Sequence, residues 1–508
     1  MKKLVIGPPG SGKTRKLTED CEEAIKRYGR GKVRVMSITK AAAQEAASRV
    51  SLEPDNVGTM HSACFGALGR KPVATTKKHV TAFNQEFKRN ITQMTNQFIT
   101  ESTGPPSHDD RLMADMQARR VRMEDRTAWP DQVRSFYNDW QDYKDGTQSW
   151  DFVDMIELAL RTKDRAPGEP LAIFFDEAQD ASKLEFELLK KWSEHTEIIT
   201  AYGDDLQAIY GWRGGSVEDF LGFTTDIRVL EKSWRLSRPL VEYARKIEDR
   251  VTVKHDRVFT WNGEMGHVRH ASQGTLRNGW WVRQLKEYLE NEETVMIMAT
   301  TNRMTGQIIR TLRDHSIPYH NPWRKNNGMW NPYSRGTASR RTPLDRIEAY
   351  LNPPWSTQTF RAWADCLNCL KRGSLAAMKR LEDEEVMDID DMEPLFEDGA
   401  FARLLSLDLD VWGSMLKKPS ATMDFCLASR KKGFIAEPST IVGTIHSLKG
   451  AEADNVILFP DLSQAALAEW QKDRDTMWRL FYVAVTRARR GLTICGGSTF
   501  NAMRLPNA

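Results

Sequence analysis

Net charge of either sign is nearly absent from this 508-residue chain: 73 lysines and arginines stand against 69 aspartates and glutamates, leaving +4. A field spread over the whole molecule is therefore excluded as a means of drawing in a polyanion, and any basic groove must be local. Cysteine is scarce too, six in irregular positions, which excludes a disulfide scaffold and suits reduced thiols inside a cell. No apolar run is long enough to span a bilayer and no signal peptide is legible, so no membrane association is expected and the expected compartment is the cytoplasm. What remains is ordinary for globular domains, 40% hydrophobic and 28% charged, at a length that calls for more than one domain. Tryptophan is in excess, with sixteen copies, which directs attention to aromatics exposed for stacking.

The most informative stretch is Gly7-Pro8-Pro9-Gly10-Ser11-Gly12-Lys13-Thr14. Lys3-Leu4-Val5-Ile6 ahead of it reads as a short buried strand, and Arg15 onward reads as a helix. That strand–loop–helix setting is the one a phosphate-binding P-loop requires. The glycines let backbone N–H groups turn toward a triphosphate at a helix N-terminus, Lys13 reaches the β- and γ-phosphates, and the Thr14 hydroxyl holds Mg²⁺. The plain alternative is a glycine-rich turn that binds nothing; the flanking elements argue against it.

Strands and helices then alternate as in a parallel, doubly wound sheet. Lys32–Ile38 reads as a strand leading into the helical stretch Lys40–Ala47, and Val57–Ser62 as a short strand or turn. Between Lys77 and Lys144 the pattern becomes polar and helical, broken by the loop Ser102–Ser107, and is read as an insertion. Its cluster Arg119-Arg120-Val121-Arg122 is expected to be a solvated helix face, with phosphate contact as the alternative. The apolar strand Leu171–Phe175 follows and ends in Asp176-Glu177-Ala178-Gln179-Asp180. Carboxylates at the C-terminal end of a buried strand face the phosphate crevice of such a sheet. Asp176 is the candidate for holding Mg²⁺, directly or through water, and Glu177 for orienting and deprotonating an attacking water.

After a further strand, Ile198–Tyr202, comes Gly203-Asp204-Asp205-Leu206-Gln207-Ala208-Ile209-Tyr210-Gly211-Trp212-Arg213-Gly214-Gly215. Downstream of Asp-Glu-x-Gln-Asp, this segment resembles the UvrD/Rep branch of superfamily 1 DNA helicases. Other segments resemble that family's motifs in order: Thr39-Lys40-Ala41-Ala42, Gly58-Thr59-Met60-His61-Ser62, Asp151–Met155, Ser233-Trp234-Arg235-Leu236-Ser237, Thr444–Glu452 and Tyr482–Ala488. The resemblance implies an α/β fold of two RecA-like P-loop motor domains with parallel sheets, each carrying a mainly helical insertion, and a nucleotide cleft between the domains. The expected division is 1–76 and 149–235 for the first motor domain around an insertion at 77–148. The second is expected at 236–322 and 437–508, around a shortened insertion at 323–436. It also implies an ATP-dependent DNA helicase or single-strand translocase moving 3′ to 5′, using ATP and Mg²⁺. Single-stranded DNA and single-strand–duplex junctions are the expected partners, and a monomer the expected state.

Residue by residue, the resemblance gives Gln207 the γ-phosphate to sense and places Arg235 and Arg487 as the arginines that meet its developing charge. Arg15 adds charge beside the loop of Gly7, Pro8, Pro9, Gly10, Ser11 and Gly12. Trp234 replaces a base-stacking tyrosine, and Glu452 meets the sugar. Thr39, Thr59, His61, Arg213 and His446 match DNA-contacting positions. Tyr210 and Trp212 lie three and five residues beyond Gln207, so one short segment is able to join γ-phosphate sensing to a base stack. A core position is the plain alternative for Trp212.

The chain also departs from the family pattern. Gly7 stands close to Met1, with no place ahead of it for the family's adenine-reading glutamine, so weakened selection for ATP among purine triphosphates is expected. Ser37 stands where the family stacks a phenylalanine on DNA, and a weaker grip is expected there. The insertion opens with a basic, aromatic stretch, Trp323-Arg324-Lys325 through Trp330, Tyr333, Arg335, Arg340 and Arg341, read as a flexible loop or a nucleic-acid surface. The acidic run from Glu382 to Asp398 is read as a solvated loop, with docking of a protein partner or autoinhibition as alternatives. Cys366 and Cys369 have metal-ligand spacing but no second pair, and no metal is expected. Compactness suggests a phage or mobile-element version, without the partner-binding tail of larger members. Two other readings stand beside the helicase: a nucleotide-switched scaffold that does not translocate, and an RNA-directed motor.

Overall fold

The computed structural model describes residues 1–92, 106–272, 274–324, 328–336, 341–378, 386–434 and 437–507. Eleven strands lie among them: β1 Lys2–Ile6, β2 Val33–Ser37, β3 Val57–Thr59, β4 Ala172–Asp176, β5 Ile198–Gly203, β6 Ile227–Val229, β7 His267–Ala271, β8 Val295–Ala299, β9 Thr440–Thr444, β10 Ala453–Leu458 and β11 Ala488–Cys495. The chain divides into two compact units: Met1–His270 with Pro460–Ile494 and Thr499–Ala508, and Ala271–Phe459 with Cys495–Ser498.

In the first unit six parallel strands run in the order β3-β2-β4-β5-β1-β6. Their residues are apolar almost without interruption because both faces are covered. The period of two sorts them. Leu4, Ile6, Ile173 and Phe175 enter a core that includes Phe186 and Trp192. Val5, Val33, Val35, Ala172 and Phe174 enter the opposite core, with Leu17 and Cys21 of the helix Lys13–Tyr28. The register Ile6↔Gly203 and Ser37↔Asp176 brings the C-terminal ends of β1, β2, β4 and β5 to one edge, where the loops carrying the motifs emerge. In the same unit β7 neighbours β11.

Between β3 and β4 the helices Lys77–Glu86, His108–Val121 and Asp131–Thr147, where an insertion was expected, pack on a core of their own in which Phe83 meets Trp140 edge-on at 4.8 Å. The expectation for Arg120 is corrected. Its side chain is not solvated: the residue is 3% exposed and its guanidinium pairs with Asp151 at 2.8 Å, Asp154 at 2.6 Å and Glu157 at 2.8 Å. Lys144 joins the same carboxylates of Asp151 and Asp154 at 3.1 and 2.6 Å. Arg120 thus ties its helix to the helix Phe152–Thr162 through acids more than thirty residues downstream, while Arg122 of the same cluster is exposed, as expected.

The second unit is built on the parallel trio β10-β8-β9, with pairs Val456↔Met296 and Met296↔Ile441. Between β8 and β9 the chain forms helices, among them Pro343–Leu351, Thr357–Ala364 and Ala421–Lys431. A single core runs from Val295 and Ile297 to Tyr350, Trp363, Phe396 and Trp412. The described residues of the insertion's opening are turns and irregular backbone, as the loop reading expects, but part of that loop is packed rather than free. Trp330 and Tyr333 are 6% and 9% exposed and belong to that core, and Arg324 lies over the Trp330 ring at 3.9 Å. Trp323 is exposed, and Arg335 pairs with Glu348. Lys325 and Arg340 lie outside the described residues, as do Ser102–Pro105 and the first part of the acidic run, Glu382–Glu385. From Asp388 to Asp398 the acids face solvent while Met392 and Phe396 are buried beneath them. The Cys366 thiol donates to the Trp363 carbonyl and that of Cys369 to Met415 sulfur, so the two serve separate packing contacts. Among the described residues no helix is long and apolar enough to cross a membrane.

Candidate nucleotide site and adjoining cleft

The P-loop is shaped by close approaches that only glycine permits. A Cβ on Gly7 would stand 2.2 Å from Lys13 Cγ. On Gly10, whose φ is +72°, it would stand 2.3 Å from Arg235 Cβ. Lys13 Nζ donates to the Gly7 carbonyl at 2.7 Å, folding the side chain back over the loop. Burial holds the Lys13 pKa below its ordinary 10.5, and Asp204, Glu177 and Asp176 pull it back upward. The Ser11 hydroxyl is buried without a hydrogen-bond partner among the described residues. An orphaned hydroxyl and a half-buried ammonium on a glycine-rich loop at the head of a helix fit a polyphosphate. Thr14 follows Lys13 at the head of the helix, while Arg15 is exposed and pairs with Glu19. For Mg²⁺ one carboxylate and one hydroxyl beside phosphates suffice, and Asp176 with Thr14 offers that set.

Asp176 ends β4, and its Oδ1 accepts the Glu177 N–H at 3.0 Å. Glu177 sits in the left-handed region at φ +53°, a strained backbone that separates its carboxylate from the strand's direction. Gln179 donates to Glu177 Oε2 and accepts the Asp204 N–H at 3.1 Å. Room for this amide exists because residue 203 is glycine, where a Cβ would lie 2.5 Å from Gln179 Oε1. Asp204, fully buried, takes Gln207 Nε2 on its carboxylate. Gln207 Oε1 then accepts from Arg487 Nη2 at 2.9 Å. Glu177, Gln179, Asp204, Gln207 and Arg487 thus form one bonded path. Arg235 approaches from the other side, donating to the Thr486 carbonyl at 3.4 Å. Its segment is stapled to the P-loop by Ser233 Oγ on the Pro9 carbonyl at 2.7 Å and the Trp234 N–H on the Gly10 carbonyl at 2.8 Å. The Trp234 indole is 64% exposed, with Lys232 Nζ 3.9 Å above it.

Beyond Gln207 the same segment reaches a cleft of about 330 Å³ lined by Thr59, His61, Tyr210, Trp212 and Arg213. Tyr210 and Trp212 meet edge-on at 6.3 Å, and the Arg213 guanidinium is 5.8 Å from each ring. Trp212 is half-buried at the cleft wall, so the plain core reading does not describe it. Burial lowers the His61 pKa and Glu185, 3.7 Å away, opposes the shift. Thr59 caps the helix Met60–Ala67 by accepting the Ser62 N–H, and Thr39 accepts the Ala43 N–H at the head of the helix Lys40–Ala47. Ser37 is fully buried in β2, and it is Ile38 that reaches the cleft. His446 and Glu452 belong to the second unit, in the turn after β9 and just ahead of β10.

Sequence reasoning assigned no role to Gln179, Asp204 or Ser233, although all three stand inside quoted motifs. Their place beside the acids and arginines already singled out was the available signal. Arg257, which also touches Asp204, stands in no motif and had none.

A P-loop on a parallel sheet, acids at the ends of neighbouring strands and a second parallel sheet in the same chain define an α/β protein with two RecA-like domains. The chain belongs to the UvrD/Rep helicase family. The model for the UvrD/REP helicase N-terminal domain matches residues 1–228 and that for the UvrD-like helicase C-terminal domain matches 440–495, together more than half of the chain. It is 24% identical over 354 residues to the ATP-dependent DNA helicase PcrA of Staphylococcus aureus, covering 62% of this chain and 48% of that protein. The PcrA of Leuconostoc citreum is 24% identical over 360 residues, covering 62% and 47%. DNA helicase II of Haemophilus influenzae is 25% identical over 274 residues, covering 48% and 38%. The chain thus spans about half the length, or less, of the curated relatives it matches. A solved PRRSV helicase aligns with all of this chain and 55% of its own at a TM-score of 0.33 and 11% identity, a likeness too weak to speak to function.

Proposed function

We propose that this protein is an ATP-dependent DNA helicase or single-strand translocase that moves 3′ to 5′. The observation that carries the reading is the segment from Asp204 to Arg213. At one end Gln207 is bonded to Arg487 beside the P-loop, and three to five residues later Tyr210 and Trp212 line the cleft. A shift of Gln207 on nucleotide turnover is therefore passed to a stacking surface within a few peptide units.

Thr14 and Asp176 would hold Mg²⁺, which would supply positive charge to the phosphates. The Gly7–Gly12 backbone and Lys13 bind the phosphates, with Arg15 adding positive charge nearby. Glu177 orients water and accepts its proton, in a carboxylate position fixed by Gln179. Arg235 and Arg487 offer positive charge to the γ-phosphate, and Gln207 reports its presence. Trp234 stacks on the base and Glu452 meets the sugar. Thr39, Thr59, His61, Tyr210, Trp212, Arg213 and His446 grip a single strand. This assigns 1–76 and 149–235 to one motor domain and 236–322 and 437–508 to the other, with insertions at 77–148 and 323–436. The enzyme works as a monomer on single strands and single-strand–duplex junctions, and exposed acids of the second insertion offer a surface to a protein partner.

Strand separation on duplexes with a 3′ or a 5′ single-stranded tail tests the reading. With ATP and Mg²⁺, the 3′-tailed duplex should be opened and the 5′-tailed one left intact. Opening of the 5′-tailed duplex alone would reverse the polarity. ATP turnover that opens neither, and displaces no protein bound to the tail, would replace the motor with a nucleotide switch.

A further inference from the structure

The bonded path from Glu177 to Arg487 has a branch that no motif announces. The Arg257 side chain is completely buried, and its Nη1 lies 2.8 Å from Asp204 Oδ1 and 3.0 Å from Asp205 Oδ1. Its Nε faces Glu248 at 3.5 Å, and the guanidinium carbon is 6.0 Å from the centre of the Tyr482 ring. The segment that delivers it is latched on both sides. The Asp475 carboxylate accepts the Thr252 and Val253 N–H groups, at 2.9 and 2.8 Å, and Asp205 Oδ2 accepts the His255 N–H at 2.9 Å. Arg479 bridges the Asp205 and Val253 carbonyls, at 3.1 and 2.6 Å.

We infer that Arg257 is a positioning residue for ATP hydrolysis, holding the Asp204 carboxylate so that it orients Gln207 and, through Gln207, Arg487. The inference rests on the proposed function, in that it needs Gln207 and Arg487 to act on a triphosphate. The physical reason is the direction of one amide. Gln207 gives its NH₂ to Asp204 and its carbonyl oxygen to Arg487. That arrangement holds only while the Asp204 carboxylate keeps its present direction, one oxygen on Arg257 and the other on Gln207. A fully buried carboxylate needs a cation against it, and Arg257 lies there. Without Arg257 the carboxylate loses the contact that holds Oδ1 and turns away from Gln207. That turn removes the acceptor, frees the amide to flip, and sets its NH₂ against the Arg487 guanidinium. The phosphate-binding loop keeps its own contacts, Lys13 Nζ on the Gly7 carbonyl and Ser233 Oγ on that of Pro9, so ATP binding is spared while turnover is not.

The test is steady-state ATP hydrolysis in the presence of an oligo-dT single strand, with thermal melting of each variant. Arg257→Met and Arg257→Gln should lower kcat by at least about tenfold with KM for ATP within about threefold, while Arg257→Lys, which keeps the charge, recovers part of kcat. A kcat within about twofold of wild type in a folded Met or Gln variant would overturn the inference. So would loss of cooperative melting in all three variants, which would make Arg257 a purely structural residue. Failure of the wild-type protein itself to hydrolyse ATP would instead count against the proposed function.

Discussion

At Glu248 burial outweighs the pull of Arg257 and raises the carboxyl to about 7, against an ordinary 4.5. Between those values the unfolded chain has released a proton that the folded chain keeps. Stability from this group is therefore fully present below about pH 4.5 and lost as pH rises through about 7. Glu248→Gln removes the charge and with it the loss. Thermal melting should show the variant gaining over wild type at about pH 8 relative to about pH 5, by up to roughly 3 kcal/mol. An equal or smaller gain at the higher pH would contradict the assignment. On the cleft wall, Trp212→Ala should weaken binding of a single-stranded oligonucleotide by roughly 1–3 kcal/mol, about five- to 150-fold, as read by fluorescence anisotropy. Unchanged affinity would place the strand elsewhere.

Individual residues are unevenly legible in the sequence. Lys13, Asp176 and Glu177 stand out because local spacing announces them: a glycine-rich loop after an apolar strand, and paired acids after another. Arg120, Trp330 and Tyr333 mislead for the converse reason. Their surroundings in sequence are polar, and the groups that bury them come from distant segments, Asp151 and Asp154 for Arg120 and the Phe425 ring for Tyr333. Arg257 is invisible for the same reason, since its partners Asp204 and Asp205 lie about fifty residues upstream.

At the scale of elements, β1, β2, β4 and β5 are readable because they are largely apolar runs of five or six residues separated by helical stretches, whereas β6, three residues with Arg228 at its centre, is too short to announce itself. The helical insertion is readable as a change of period, but not the means of its attachment. Arg120 meets three carboxylates in a buried site, so Arg120→Met should destabilise the first unit by about 3–5 kcal/mol in chemical denaturation, because it leaves Asp151 and Asp154 short of a cation. A loss below about 1 kcal/mol would mean that Lys144 alone compensates them. The P-loop has a comparable dependence on packing. Gly10→Ala brings a Cβ to 2.3 Å from Arg235 Cβ at a φ of +72°, forcing loop and arginine apart. Hydrolysis should fall by at least about tenfold, with little loss of global melting temperature. Retained hydrolysis would show that contact between Gly10 and Arg235 is dispensable.

For the whole molecule, the proposed motor requires that chemistry at the P-loop reach the aromatic cleft through the segment Asp204–Arg213. Family membership speaks for a helicase, whereas the coupling is a property of this chain's own bonded path from Glu177 to Arg487 and of the aromatic residues that follow Gln207. Steady-state ATP hydrolysis with no nucleic acid, with single-stranded DNA, with duplex DNA and with single-stranded RNA of the same sequence measures it directly, Glu177→Gln serving as the blank. Strong stimulation by single-stranded DNA, absent in the blank, is the expected result. Hydrolysis indifferent to every nucleic acid would contradict the coupling, and stimulation by RNA alone would make the protein a motor for a different strand.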